Sequence, residues 1–151
     1  MSEVSYKDFD ILSETDKAEA VALLNRYEQL EKQDSCQNDF ISFVNHMWPD
    51  FIEGRHHKII AEKFNRIAEG KLKRLIVCLP PRHSKSEFAS TFFPAWMMGR
   101  RGNLKIIQTT HTAELAVRFG RRVRNIIDSD EYQHIFPDLQ LQADNKSAGR
   151  W

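Results

Sequence analysis

The fold is decided by the stretch Leu75-Ile76-Val77-Cys78-Leu79-Pro80-Pro81-Arg82-His83-Ser84-Lys85-Ser86-Glu87. Its first five residues form a continuous apolar run without alternation, which is typical of a strand buried on both faces of a parallel sheet. The prolines that follow remove backbone donors and predict a loop through Ser84. Residues 85–98 then carry apolar side chains at helical spacing, and Pro94 is expected to kink or shorten that helix. The stretch therefore predicts a strand, a loop and a helix in succession.

The same order repeats downstream, where residues 104–109 predict a second buried strand and residues 112–128 a helix capped by Thr110 or Thr112. Upstream, the sequence predicts a loosely ordered arm at 1–12, a helix through residue 30, a polar linker at 31–38, and helices at 39–47 and 55–68. Helices followed by strand–helix–strand–helix predict an α/β fold: a helical N-terminal lead-in and then a parallel-sheet βαβα unit.

Composition limits the possible functions. The 151 residues fit one domain that can bury a core. Lys and Arg number 22 against 21 Asp and Glu, so the net charge of +1 disfavours a general polycation that coats nucleic acid or membrane. Cys36 and Cys78 cannot build a disulfide framework, which indicates a reducing, cytosolic setting. No apolar run approaches a membrane span, and the acidic start does not resemble a secretory signal.

The loop before Lys85 has the context of a phosphate-binding loop. Backbone N–H groups at such a loop face an anion, a lysine adds positive charge, and the next hydroxyl can hold magnesium. The standard pattern G-x-x-x-x-G-K-[ST] fails at both glycines, where Leu79 and Ser84 stand. A positive φ at Ser84 would cost on the order of 1–2 kcal/mol. The alternative interpretation is an ordinary connection with a capping serine and a solvated lysine.

The octapeptide Pro80-Pro81-Arg82-His83-Ser84-Lys85-Ser86-Glu87 resembles the deviant Walker A motif of tailed-bacteriophage terminase large subunits, which commonly reads P-P-R-H-G-K-S-E. Weaker similarities flank it in the right order. They are His56-His57-Lys58-Ile59-Ile60-Ala61-Glu62-Lys63 upstream, and Leu115-Ala116, Phe119, Arg122-Val123-Arg124, Tyr132 and Ile135-Phe136-Pro137 downstream. The resemblance covers roughly residues 38–151.

The resemblance implies an ATP-driven motor that translocates viral double-stranded DNA into the procapsid. It implies an arm and helix at 1–37, followed at 38–151 by the N-terminal portion of a P-loop (ASCE/RecA-like) ATPase domain, without the family's nuclease domain. ATP and Mg²⁺ are the implied cofactors. The implied partners are DNA, the portal protein, the terminase small subunit and further copies in a ring, in the host cytoplasm at the procapsid portal and with no membrane.

Site residues follow from the resemblance by position. Lys85 and Arg82 are implied as catalytic: Lys85 binds the β and γ phosphates, and Arg82 senses the γ-phosphate. Ser86 is implied to hold Mg²⁺, while His83 and Ser84 present backbone amides. The implied nucleotide-binding residues are Pro81, Arg82, His83, Ser84, Lys85, Ser86 and Glu87.

An ASCE ATPase also needs an apolar strand that ends in an acidic pair, the Walker B motif. After Lys85 the acidic cluster is Asp128-Ser129-Asp130-Glu131, which follows a predicted helix rather than a strand. We therefore expect the chain to stop before Walker B and to be inactive as an isolated ATPase. Two alternatives stay open: another P-loop motor such as a helicase, or a short non-enzymatic terminase-derived module that binds DNA or the portal.

The sequence has three smaller features that bear on function. Arg118, Arg121 and Arg122 share a helix face, which predicts either a DNA-backbone or inter-subunit contact or a solvated face. The pair His56-His57 is not expected to bind a metal, because adjacent helical residues should point to different faces. Cys78 is predicted to be a small buried hydrophobic residue.

Overall fold

The computed structural model describes residues 13–141, and within that range it contains helices and irregular segments but no strand. The helices are α1 (Glu14–Asn38), α2 (Phe40–Met47), α3 (Arg55–Ala68), α4 (Lys85–Glu87), α5 (Phe93–Arg100), α6 (Ala113–Ile127) and α7 (Asp130–Ile135), with a π-helical turn at Phe88–Phe92 between α4 and α5. The arm predicted at residues 1–12 lies outside the described residues.

The predicted α/β fold, with its parallel-sheet P-loop (ASCE/RecA-like) βαβα unit, is wrong. Residues 75–79 and 104–109 both belong to the described part of the chain, yet neither forms a strand, and no backbone hydrogen bond joins them. A strand exists only where a neighbouring strand completes its hydrogen-bond ladder. An apolar run shows an affinity for a core and carries no information about that neighbour.

The two apolar runs are also exposed on one side. Leu75, Val77 and Leu79 pack against the helical core, whereas Ile76 between them is 90% exposed. In the second run, Ile107 is likewise 90% exposed. Helices therefore cover one side of each segment, and the prediction of burial on both faces is wrong.

The predicted starts and stops of three helices are confirmed. The Asp39 carboxylate accepts the Ser42 amide at 3.0 Å and starts α2, and the Thr112 hydroxyl accepts the Leu115 amide at 3.3 Å and starts α6. Gly70, with φ of 77°, follows the end of α3 in the left-handed conformation that suits a C-terminal cap.

Helix α1 is longer than predicted, because it continues through residues 31–38. The prediction of a linker there is wrong. The segment is polar, but it contains neither glycine nor proline, so nothing in it breaks a helix. Its end coincides with the Asp39 cap of α2.

The chain divides into two compact units, one that ends at Gln33 and one that begins at Asp34. In the first unit, the apolar side chains of α1 are exposed; they are Val21, Leu23, Leu24, Tyr27 and Leu30. The second unit has an aromatic core. Phe40 lies at its centre and makes edge-on contacts with Phe64, Phe88 and Trp96 at centroid distances of 5.1, 5.4 and 5.4 Å.

Two buried donors of the second unit, on Trp96 and Tyr132, bind backbone carbonyls on other elements. The Trp96 indole N–H donates to Cys36 O at 2.8 Å, and the Tyr132 hydroxyl donates to Ala95 O at 2.8 Å. Both donors sit on side chains that are fully buried. These bonds fix α5 against the last turn of α1 and against α7, because a misplaced helix would leave a buried donor without a partner.

Within residues 13–141 no helix is both long and apolar enough to span a membrane.

Candidate phosphate-binding site

The loop that enters α4 has an unusual backbone. Arg82 has φ of 64° and Ser84 φ of 55°, and both are left-handed although neither is glycine. Such a conformation costs about 1–2 kcal/mol in a residue with a side chain. Ser84 is followed directly by helical Lys85. A left-handed residue next to a right-handed one turns successive N–H groups toward a common point, which is the geometry of an anion-binding nest.

The helix predicted at 85–98 extends to Arg100 and is divided by a π-helical turn at Phe88–Phe92, just before Pro94. Pro94 has no amide hydrogen for the α-helical bond to Ser90 O, and the Gln108 side-chain amide donates to that carbonyl at 3.1 Å. The preceding turn is wound with five-residue spacing, in which the Phe93 amide bonds to Phe88 O. Three residues of α4 therefore follow the loop before the winding changes.

The charged and hydroxyl side chains of the loop are accessible. Arg82, Lys85 and Ser86 are exposed, and neither cation forms an ion pair with any residue between 13 and 141. Lys85 and Ser86 also border an open cleft of about 390 Å³. The remaining lining is mostly apolar and consists of Phe64, Ile67, Leu75, Val77, Ala89, Ser90 and Phe93.

Glu87, the last residue of the motif, is engaged with α6. Its carboxylate accepts a hydrogen bond from the Arg122 guanidinium, and the two groups form an ion pair. Both side chains are partly exposed, so the pair contributes at most about 1 kcal/mol to stability. It nevertheless joins the arginine-bearing helix to the end of the loop motif, and no sequence pattern predicts that contact.

His83 belongs to a group of three imidazoles. The His56 ring lies 3.8 Å from the His57 ring and 5.4 Å from the His83 ring, measured between centroids. The expectation that His56 and His57 point to different faces is therefore wrong: the rings tilt together at the start of α3. Burial lowers the pKa of His57, and the neighbouring His56 lowers it further.

The arginine face of α6 is exposed at Arg118, Arg121 and Arg122, but two of its members have acidic partners. Arg118 pairs with Glu114 at 3.4 Å, and Arg122 pairs with Glu87.

The acidic cluster at 128–131 lies at helix ends: Asp128 ends α6, and the Ser129 hydroxyl accepts the Tyr132 amide at 3.4 Å to start α7. Cys78 is exposed, so the prediction that it is buried is wrong.

No protein-family model matches the chain, and no curated protein or solved structure shows significant similarity to it. The function of the loop is therefore inferred from its geometry and from the resemblance of its sequence. The geometry brings together a left-handed backbone, an exposed hydroxyl and two cations that have no ion-pair partner in the described part of the chain, all within residues 82–86.

Proposed function

We propose that the chain binds the triphosphate of ATP at residues 80–87 and is part of a terminase large subunit, the ATP-driven motor that translocates viral double-stranded DNA into the procapsid. One observation carries the proposal. The motif that resembles the terminase Walker A has a left-handed residue at Ser84, the position where the family has glycine. An ordinary capping serine has no need of that conformation, because N-cap residues prefer the β region.

The side chains have separate roles in this proposal. Lys85 neutralises the β and γ phosphates, and Arg82 contacts the γ-phosphate through its planar guanidinium, which suits two phosphate oxygens at once. The amides of the loop at His83 and Ser84 donate to phosphate oxygens. Pro81 shapes the loop, and Glu87 anchors its end to Arg122.

Mg²⁺ would be held by the Ser86 hydroxyl together with phosphate oxygens and water, which is a usual arrangement for this ion. Bound with ATP, the ion neutralises charge on the β and γ phosphates. Hydrolysis also needs an acidic residue to orient water, and the acidic cluster at 128–131 serves the ends of α6 and α7. We therefore expect the chain to bind ATP without turning it over.

The motor proposal includes partners and a place of action. They are viral DNA, the portal protein, the terminase small subunit and further copies of the subunit in a ring, all in the host cytoplasm at the procapsid portal. The near-neutral net charge of +1 is compatible with this, since a ring multiplies a few exposed cations per subunit.

ATP binding is tested by the substitution Lys85→Ala. We expect it to weaken binding of a fluorescent ATP analogue by about 10- to 100-fold, because a charge-assisted contact to phosphate is lost. Lys105→Ala is the matched control, since Lys105 is also exposed and lies outside the loop. Hydrogen exchange should show that ATP protects residues 81–87 in the unsubstituted chain.

Two results would contradict the proposal. If ATP gives no protection of the loop while the chain still binds double-stranded DNA, a non-enzymatic DNA-binding module is the better description. If Lys85→Ala and Lys105→Ala bind ATP equally well, the loop is not the site. Phosphate release that depends on Lys85 would overturn the expectation that the chain alone is inactive.

A further inference from the structure

The three imidazoles connect the candidate phosphate loop to the start of α3. His57 is only 6% exposed and lies against the rings of Phe51, at 4.7 Å, and Phe88, at 5.0 Å. His56 bridges it to His83 on the loop. The Nε2 atoms of His56 and His57 are buried and have no hydrogen-bond partner among residues 13–141. Polar atoms in that position are uncommon and call for a functional explanation.

The hydrogen bonds fix which nitrogen of each ring can accept a proton. His83 Nδ1 lies 2.9 Å from Pro81 O, and a carbonyl only accepts, so Nδ1 carries the hydrogen. The lone pair of neutral His83 is therefore on Nε2. His57 Nδ1 instead accepts the Gly54 amide at 3.0 Å, which places its hydrogen on Nε2. Of these two rings, His83 can take up a proton without losing its hydrogen bond.

The charges around the cluster are mostly positive. Arg82 and Lys85 are on the same loop as His83, and His56 and His83 both oppose protonation of His57. The carboxylate that favours protonation of His57 is Glu53, but Asn45 and Lys58 already bind it at 3.0 and 2.9 Å. Burial also lowers the pKa of His57. Without a bound anion, His57 is therefore best accommodated as a neutral ring.

We propose that His83, whose ring contacts His56, is the proton-linked part of the candidate phosphate site: when a triphosphate binds at the loop, His83 takes up a proton from solvent at Nε2. The imidazolium then adds a positive charge to a loop that already carries Arg82 and Lys85, while Nδ1–H keeps its bond to Pro81 O. Because binding and protonation favour each other, affinity rises as the pH falls. This inference rests on the proposed function, since it concerns the same loop.

An anion explains the cluster better than a metal ion. Among the described residues no group of three or more His, Cys, Asp and Glu side chains has an arrangement that could hold a metal. The loop also contributes cations, which attract a phosphate and repel a metal ion that is not itself bound to one.

The test is calorimetric titration of ATP into the whole chain at about pH 6, 7 and 8, in two buffers that differ in ionisation enthalpy, so that protons taken up are counted. His83→Asn and His83→Gln remove the titrating group, and both are used in case one fails to fold. His134→Asn is the matched control, because His134 is an exposed histidine on α7. Thermal melts verify that each variant is folded.

We expect the ratio of the Kd of His83→Asn to that of the unsubstituted chain to grow about three- to tenfold between pH 8 and pH 6, since a tenfold change corresponds to one pKa unit. Proton uptake should fall in His83→Asn and stay unchanged in His134→Asn. Protonation of ATP itself is common to all variants and cancels in the comparison.

Failure of this inference is distinguishable from failure of the proposed function. If the chain binds ATP in a Lys85-dependent way but His83→Asn has the same pH profile and proton uptake, the inference is overturned and ATP binding stands. If the unsubstituted chain binds no ATP at any of these pH values, both are overturned.

Discussion

Ser84 holds a backbone conformation that a side chain normally avoids, and it does so directly before the lysine of the loop. Strain of this kind persists where the surrounding structure imposes it, and it is concentrated at ligand sites. Arg82, two residues earlier, is strained in the same way. The loop therefore holds its shape before any ligand arrives, which reduces the entropy lost on binding.

A substitution that removes this strain should change the free energy of unfolding by a measurable amount. We expect Ser84→Gly to raise the free energy of unfolding by about 0.5–1 kcal/mol, because a left-handed residue loses its steric penalty while added chain entropy offsets part of the gain. Ser86→Gly is the matched control; it lies in α4 and should lower stability by about 0.5 kcal/mol, the difference in helix propensity between serine and glycine. The measurement is urea unfolding. Equal losses in both variants would contradict a left-handed Ser84.

At the scale of the elements, α5 depends on two close contacts. Its first turn contains Pro94, whose missing donor is replaced at Ser90 O by Gln108. Its last turn contains Gly99, where an added Cβ would overlap ring atoms of buried Phe136, just beyond α7. Helix α5 is thus held at both ends by residues distant in sequence.

The close approach of Phe136 to Gly99 predicts that alanine is more destabilising at position 99 than at position 102. Gly99→Ala should lower the free energy of unfolding by about 1–3 kcal/mol, since Phe136 is buried and has to shift. At Gly102 the nearest atom to an added Cβ is Leu139 Cδ1 at 4.0 Å, so Gly102→Ala should change stability by less than about 0.5 kcal/mol. Denaturant unfolding of both variants is the test, and equal effects would contradict the close approach.

The elements that could be predicted are those with local signals. Asp39, Thr112 and Gly70 mark helix ends through bonds and dihedral angles within a few residues, so the sequence contains the whole cause. The strands at 75–79 and 104–109 could not be predicted in this way. Their apolar runs indicate contact with a core, but strand pairing depends on a partner that the local sequence does not specify.

The candidate site likewise has a part that could be predicted from local sequence and a part that could not. The loop residues are contiguous, and the comparison with a glycine position already identified Ser84 as the place where a positive φ would matter. The contacts of His56 with His83 and of Glu87 with Arg122 join residues far apart in sequence. Helix packing creates them, and no spacing rule connects their positions.

At the scale of the whole molecule, the two units differ in how their helical structure is supported. The second unit has an aromatic core and buried hydrogen bonds. In the first unit, the helical residues 14–33 bury almost nothing. Isolated helices of that length are marginal in water, because most helical stability in proteins comes from packing.

Hydrogen exchange should therefore separate the two units. We expect amides of residues 14–33 to exchange close to the rate of an unstructured peptide, while those of α2 and α5 exchange only through global unfolding. Mass spectrometry of peptic fragments measures both in one experiment, with the core helices as the internal reference. Protection of residues 14–33 equal to that of α2 would contradict the difference.

The exposed side of residues 75–79 has a consequence for the protein at high concentration. A short, uncharged segment rich in β-branched and aliphatic residues can stack with copies of itself into aggregates. Here Lys71, Lys73 and Arg74 precede the segment, and Pro80 and Pro81 follow it. Flanking charges repel a second copy, and proline cannot extend a hydrogen-bonded stack, so both act as gatekeepers against aggregation. Residues outside the folded core thus help to keep the protein in its folded form.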